Sequence, residues 1–305
     1  MLNGIKPLNF KRAVFLSENS YNDGALDYGA YCAEIERIKA ILNKMIIAKN
    51  LQSFKTAGNW AIFSFLVDTI PENNFQPYTY DVENLLGAQD TKSAMVSNLL
   101  KTKKGNCHSL PYLYKLLADE MNVEAFLALA PLHIYIKHRD EQEKWWNLEL
   151  TNGTFSRTSF IIESFDVPDE GIESGLYMKP LTERESIALC LYDLLAYYDK
   201  KTGIYYGNFV RKAYTEGIKV YQNSLFQLYK ANDEKHTLDK AMAEKKLNDY
   251  DKIKLYPDLV SLKKNFDATK DYIKKIGYYT YSAERYGEKM QEIRKMQQEK
   301  TKNKK

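Results

Sequence analysis

The feature that most restricts the fold is a change of hydrophobic period along the 305-residue chain. Up to about residue 121 apolar side chains recur every three or four positions. From 123 to 130 they form a short continuous run, and 133–138 and 145–150 alternate. After about residue 181 the helical spacing returns and holds to the end. A period near 3.6 lines one face of a helix, and a period of two lines one face of a strand. The pattern therefore predicts helices, then a helix–strand–strand–strand segment, then helices alone. The last two strands are expected to form a hairpin across the polar turn 140–144.

Residues 1–24 are mixed and turn-rich, ending in Asn22-Asp23-Gly24. Tyr28, Tyr31, Ile35, Ile38, Leu42, Met45 and Ile46 mark a helix over 27–50. A second helix, 59–69, stops before Pro71, because the residue preceding proline disfavours the helical region. Residues 71–92, with Pro71, Pro77 and Gly87, are expected to be irregular, and Met95, Val96, Leu99 and Leu100 mark a short helix. After a basic loop, 101–105, Ser109 and Pro111 suit a helix start, and Leu113, Leu116, Leu117 and Met121 form its stripe. Beyond residue 181 the pattern is helical over 182–200, 207–232, 234–249 and 258–297, with breaks at Gly203, Gly207, Asp233, Pro257 and Gly277. Such helical pairs suggest a stacked array. Residues 271–290 resemble a tetratricopeptide helix–turn–helix: Gly277 closes one helix, and Tyr279, Ser282, Ala283 and Tyr286 pack the next. No repeat of fixed length recurs, so a plain bundle is the other reading.

At roughly 150 residues per domain, the length predicts two domains. The expected division is 1–180, a mixed core with N-terminal helices; 181–297, helical; and 298–305, a basic flexible tail. Lys and Arg number 44 against 40 Asp and Glu, a net charge of +4, which calls for no nucleic-acid partner. Much of the excess lies in 294–305, the pattern of a solvated terminus. No segment reaches the ~18 continuous apolar residues of a membrane span. Residues 1–20 lack the order of a signal peptide, so the chain is expected to be soluble and cytoplasmic; a chain trimmed of its export signal would look the same. The 24 tyrosines suit helix contacts with wet outer ends, and equally a binding surface.

Cys32, Cys107 and Cys190 are too few for a disulfide framework. Cys32 and Cys190 sit within helical apolar stripes and read as small buried hydrophobes. Cys107 follows Lys103-Lys104-Gly105-Asn106 at a helix start, where the positive helix end and free N–H groups favour a thiolate and a developing oxyanion. His133 opens a strand 26 residues on. His138 has the opposite strand parity, His236 lies in a polar helical stretch, and His108 points elsewhere once the helix has begun. His133 is therefore the candidate base. On the next strand residues 145, 147 and 149 share a face, which offers Asn147 or Glu149 to orient it. A carboxylate also compensates the imidazolium charge, which an amide does less well.

Gly105-Asn106-Cys107-His108-Ser109-Leu110-Pro111, Leu132-His133-Ile134-Tyr135-Ile136 and Trp145-Trp146-Asn147-Leu148-Glu149-Leu150-Thr151 resemble the three motifs of the transglutaminase-like, or papain-like cysteine, core. The specific likeness covers 103–153, and the general likeness about 10–200. It is particularly similar to a bacterial branch in which such a core precedes tetratricopeptide-like helices. The resemblance implies an α+β fold, with a helix-start cysteine packed on a small antiparallel sheet, followed by an all-α helical-repeat region. It implies a catalytic Cys107, His133 and Glu149 and thiol-dependent acyl transfer on amide bonds, as a protease or amidase or as a transglutaminase, with a peptide or protein substrate. Glu149 stands where aspartate is usual, and Asn147 would be the more papain-like third member. Asn59 and Trp60 are weak candidates for completing an oxyanion hole.

Two other readings stand beside this one. A silent core of the same fold could serve with its helices as a protein- or peptide-binding scaffold. Cys107, His108, His133 and Glu149 are zinc-ligand types, but no CxxC or HxxxH spacing exists, so no metal or other cofactor is expected. Trp145 and Trp146 read mostly as packing residues; Trp145 shares the Glu149 face and is a candidate wall of a substrate channel, and Trp146, opposite, is expected to be buried.

Overall fold

The computed structural model describes residues 1–81 and 91–282, and beyond these only 284, 285, 287, 288, 291, 292 and 295. The tail at 298–305, parts of the stretches 71–92 and 258–297, and Ala283 and Tyr286 of the expected repeat turn lie outside the described residues. The fold is helix-rich with small sheets, an α+β architecture. No helix among the described residues is long and apolar enough to cross a membrane. The chain forms two compact units, each discontinuous in sequence.

One unit comprises Ala25–Val167, Tyr177–Leu181 and the chain from Tyr279. Helix α2 (Tyr28–Ala48) is capped by Asp27, whose carboxylate accepts from the N–H groups of Gly29 and Ala30, and buries Tyr31, Ile35, Ile38, Leu42 and Met45. Helices α3 (Ala57–Val67), α4 (Val96–Thr102) and α5 (Ser109–Glu120) follow. A parallel bridge pairs β1 (Thr79–Tyr80) with β2 (Lys104–Gly105). Ten of the twelve α5 residues are buried. A helix buried nearly all round belongs at the centre of its layer, and α5 touches α2, α3 and α4 as well as the main sheet.

That sheet is an antiparallel meander of β3 (Phe126–Ala130), β4 (His133–Arg139), β5 (Trp145–Glu149) and β6 (Thr154–Ser156). Helix α5 packs on β3 and β4. The register pairs Ala130 with His133, Lys137 with Asn147 and Glu149 with Thr154. Directly opposed residues share a face, so His133, Tyr135, Lys137, Asn147 and Glu149 all lie on one side. Along the free edge of β3, the N–H groups of Met178 and Leu181 donate to Leu129 and Leu127. A short helix α6 (Thr158–Ser164) follows the sheet.

The other unit comprises Met1–Gly24, Pro168–Leu176 and Thr182–Tyr278. Within the mixed, turn-rich stretch 1–24, α1 (Phe10–Tyr21) forms, capped by Asn9 Oδ1 on Arg12 N at 2.7 Å. Its buried side includes Ser17 and Glu18, which interrupt the apolar stripe and hide the period. Helix α7 (Asp169–Glu173) precedes α8 (Glu183–Thr202), which carries a reciprocal Thr182–Glu185 capping box. Helix α1 packs along α8, so the first 24 residues belong with the helices.

Each of α8, α9 (Asn208–Val220), α10 (Phe226–Glu244) and α11 (Pro257–Lys275) then packs on the next. The expected break at Asp233 is absent; the break falls between Val220 and Phe226. Asp233 lies inside α10 with its carboxylate buried. It accepts from the N–H of Gly207, the Arg211 guanidinium and the Tyr214 hydroxyl, and so serves the start of α9.

Candidate active site

Two residues before α5, the chain is locked by side chains. Asn106 Oδ1 accepts from the N–H groups of His108 at 2.9 Å and Ser109 at 3.3 Å, satisfying two donors of the helix start. Ser109 Oγ accepts from Asn106 N at 3.1 Å and donates to Ser93 O at 2.6 Å. These groups are fully buried, so Cys107 is held at a fixed angle to the helix end. Its N–H has no acceptor among the described residues, which leaves a donor beside the sulfur.

Gly105 makes this packing possible. A Cβ there would overlap Ser109 Oγ and lie 2.8 Å from Leu99 Cδ1. Gly105→Ala is expected to destabilise this unit by about 2 kcal/mol through overpacking, read as a lower urea midpoint in tryptophan fluorescence.

The imidazole arrives from the sheet. The β3–β4 connection is Pro131-Leu132, and Leu132 holds φ 56°, an uncommon value for a bulky residue. That turn sets the Leu132 carbonyl oxygen 3.7 Å from Cys107 Sγ and starts β4 at His133. His133 Nε2 meets Glu149 Oε2 at 2.5 Å. The Cys107 sulfur lies close enough to His133 to favour the charged ring. With Nε2 committed to Glu149, Nδ1 is the nitrogen left for sulfur. Phe165 stacks flat on the imidazole, with centroids 4.0 Å apart and planes 13° from parallel.

Glu149 uses its second oxygen as well. Oε1 accepts from Thr151 N at 3.0 Å and Thr151 Oγ1 at 2.6 Å. Thr151 thereby draws back a side chain one methylene longer than aspartate, and both oxygens are satisfied. Cys107, His133 and Glu149 are 5%, 7% and 2% exposed, so water screens this cluster little.

The charges follow from that burial. Desolvation alone would lower the His133 pKa, but the Glu149 carboxylate, its hydrogen bond to the ring and the nearby Cys107 sulfur outweigh it and raise it to about 10. Desolvation likewise opposes ionisation of Glu149, yet His133 and Thr151 hold its carboxyl below the usual range. The favoured state is an imidazolium facing a carboxylate.

The structure thus brings Cys107, His133 and Glu149 together. Asn147, on the same face, is engaged elsewhere: its Nδ2 donates to Ser156 O at 3.1 Å. Compared with protein-family models, curated proteins and solved structures, the chain matches none.

The remaining candidates fall outside it. Asn59 Nδ2 bonds the Tyr114 hydroxyl and Glu124 O, which removes it as an oxyanion donor. His108 Nδ1 lies 2.8 Å from Ala94 O, and its ring packs tilted against Tyr112. Burial lowers the His138 pKa and favours its neutral form. The Lys103 ammonium donates to the Asn73 and Gln76 carbonyls, anchoring a loop. No group of three or more metal-binding side chains gathers among the described residues.

Trp146 is 36% exposed, against the expected burial; its Nε1 donates to Asp140 Oδ2 at 2.8 Å, which keeps the indole at the surface. Trp145 is also exposed, with Lys137 and Arg139 over its ring. Sequence reasoning missed Phe165, whose place over the imidazole leaves no signal in local spacing. It also missed Asn106, three residues ahead of α5, whose side-chain oxygen takes the N–H groups of His108 and Ser109.

Proposed function

We propose that the chain is a thiol acyltransferase or hydrolase acting on amide bonds of a peptide or protein, with a transglutaminase-like core and tetratricopeptide-like helices. The observation that carries the reading is the 2.5 Å His133–Glu149 contact, with the Cys107 sulfur 3.7 Å from the carbonyl oxygen of the residue before that histidine. Three groups distant in sequence share one buried cluster, and each has a role in nucleophilic catalysis.

In this reading the proton rests on His133 before attack, because Glu149 compensates the imidazolium. Cys107 Sγ, as thiolate, attacks the amide carbonyl carbon, and the carbonyl electron pair moves to oxygen. The free Cys107 N–H donates to that oxyanion. Collapse breaks the C–N bond, and the amine departs with the proton from His133. The resulting thioester is opened by water or by a primary amine, whose proton returns to the neutral imidazole. Glu149 fixes the ring and stays ionised throughout.

The test is the pH dependence of iodoacetamide alkylation, followed residue by residue. Between about pH 6 and 8 the Cys107 rate should change less than about threefold, because the proton is already on the imidazole. Over the same range a free cysteine in solution, alkylated in parallel, should gain most of tenfold per unit. Parallel slopes for the two would defeat the enzyme reading in favour of a silent scaffold.

A further inference from the structure

Sulfur and imidazole are both buried, so a substrate reaches Cys107 only after something moves. One piece is placed to move. Phe165 caps the seven-residue α6, is half-buried, and covers one face of His133. The next residue, Asp166, holds φ 48°, a left-handed conformation that costs a non-glycine residue free energy unless neighbours hold it.

The neighbours that hold it come from the end of the chain. The Tyr281 hydroxyl donates to Phe165 O at 2.7 Å. Arg285 grips Asp166 with two parallel bonds, Nε to Oδ2 at 2.8 Å and Nη2 to Oδ1 at 2.9 Å. A forked pair of this kind fixes orientation as well as distance. Tyr279 N lies 3.4 Å from the Tyr177 hydroxyl, adding a third point of attachment. Arg285 also has Glu288 at 3.1 Å and Glu292 at 3.8 Å. Letting go of Asp166 therefore leaves its guanidinium with carboxylate partners, which lowers the cost of release.

We propose that the arm carrying Tyr279, Tyr281 and Arg285 is an intramolecular latch. It holds Phe165 as a lid on His133, and its release admits substrate to Cys107. The functional meaning of the latch rests on the reading of Cys107, His133 and Glu149 as the reactive site. The geometry of the latch stands apart from it. The ion pair is partly exposed, with side chains 33% and 28% accessible, so it is weak enough to release and sensitive to salt.

The experiment is iodoacetamide alkylation of the full chain at fixed pH, with Cys107, Cys32 and Cys190 followed separately by mass spectrometry. When opening is fast, labelling of a buried group follows the population of the open form. Arg285→Gln should label Cys107 roughly five- to tenfold faster than wild type, with Cys32 unchanged and Cys190 still protected. Phe165→Ala, which removes the lid itself, should be at least as fast.

If Phe165→Ala accelerates labelling while Arg285→Gln matches wild type, the latch is wrong. The rate ratio at fixed pH reads the latch, and the slope against pH reads the reactive site, so failure of one is told from failure of the other. Should Arg285→Gln also speed labelling of Cys32, which shares this unit with Cys107, the variant has unfolded and Tyr281→Phe decides. Loss of that single hydroxyl should speed Cys107 labelling roughly two- to threefold, and no change would overturn the latch.

Discussion

Replacing His133 with alanine is expected to slow alkylation of Cys107 roughly 100-fold at about pH 6.5 and to leave the rate at about pH 9.5 within a few-fold of wild type. The size follows from where the proton sits. In the native site His133 keeps its proton up to about pH 10, because Glu149 and Cys107 both favour the charged ring. Without the ring the thiol must lose its proton to water. A free cysteine is only about 1% thiolate at pH 6.5 but mostly thiolate at pH 9.5. His133→Ala also removes the surface on which Phe165 stacks, which opens the site and raises labelling at every pH. That contribution is the same at both ends of the range, so the ratio of the two rates isolates the imidazole. If the ratio is the same in the variant and in wild type, the imidazole does not hold the proton of Cys107 and the proposed mechanism fails.

How far the sequence anticipates this site depends on how local each feature is. Strands β4 and β5 are visible because apolar and polar residues alternate over 133–138 and 145–150, and β6 is hidden because three residues carry no period. Alternation places 145, 147 and 149 on one face but cannot choose between Asn147 and Glu149. That choice is made by β6, whose Ser156 carbonyl occupies Asn147 and leaves Glu149 facing His133. Asp233 misleads for a related reason. An aspartate between two polar stretches looks like a helix break, but a buried carboxylate serving the next helix looks identical in sequence. Phe165 and Arg285 are the extreme case: one covers the imidazole, the other holds Asp166, and only the folded chain relates either to Cys107.

Glu149→Ala is expected to destabilise the sheet-containing unit by about 3 kcal/mol near pH 6, the cost of breaking a buried ion pair by removing one partner. The carboxylate accepts from His133 with one oxygen and from Thr151 with the other, so its loss leaves the buried imidazolium uncompensated and removes an acceptor from the half-buried Thr151. The pH dependence gives a second check on the same pair. The folded His133 pKa lies at about 10, above its unfolded value. Its stabilisation is therefore complete below the ordinary imidazole range, about 6.5, and is lost as pH rises through about 10. The Glu149 carboxyl is held below its ordinary value. Its stabilisation is complete above the usual carboxylate range and fades as pH falls beneath it. These are two views of one interaction and are not added. The difference between wild type and Glu149→Ala should thus be greatest from about pH 5 to 6.5 and shrink steadily to about pH 10. Trp60, Trp145 and Trp146 are the chain's three tryptophans, and all belong to this unit. Urea unfolding followed by their fluorescence therefore reports on it without interference from the helices. A difference that stays constant from pH 5.5 to 10 would mean that Glu149 acts through packing alone and that the imidazole carries no charge worth compensating.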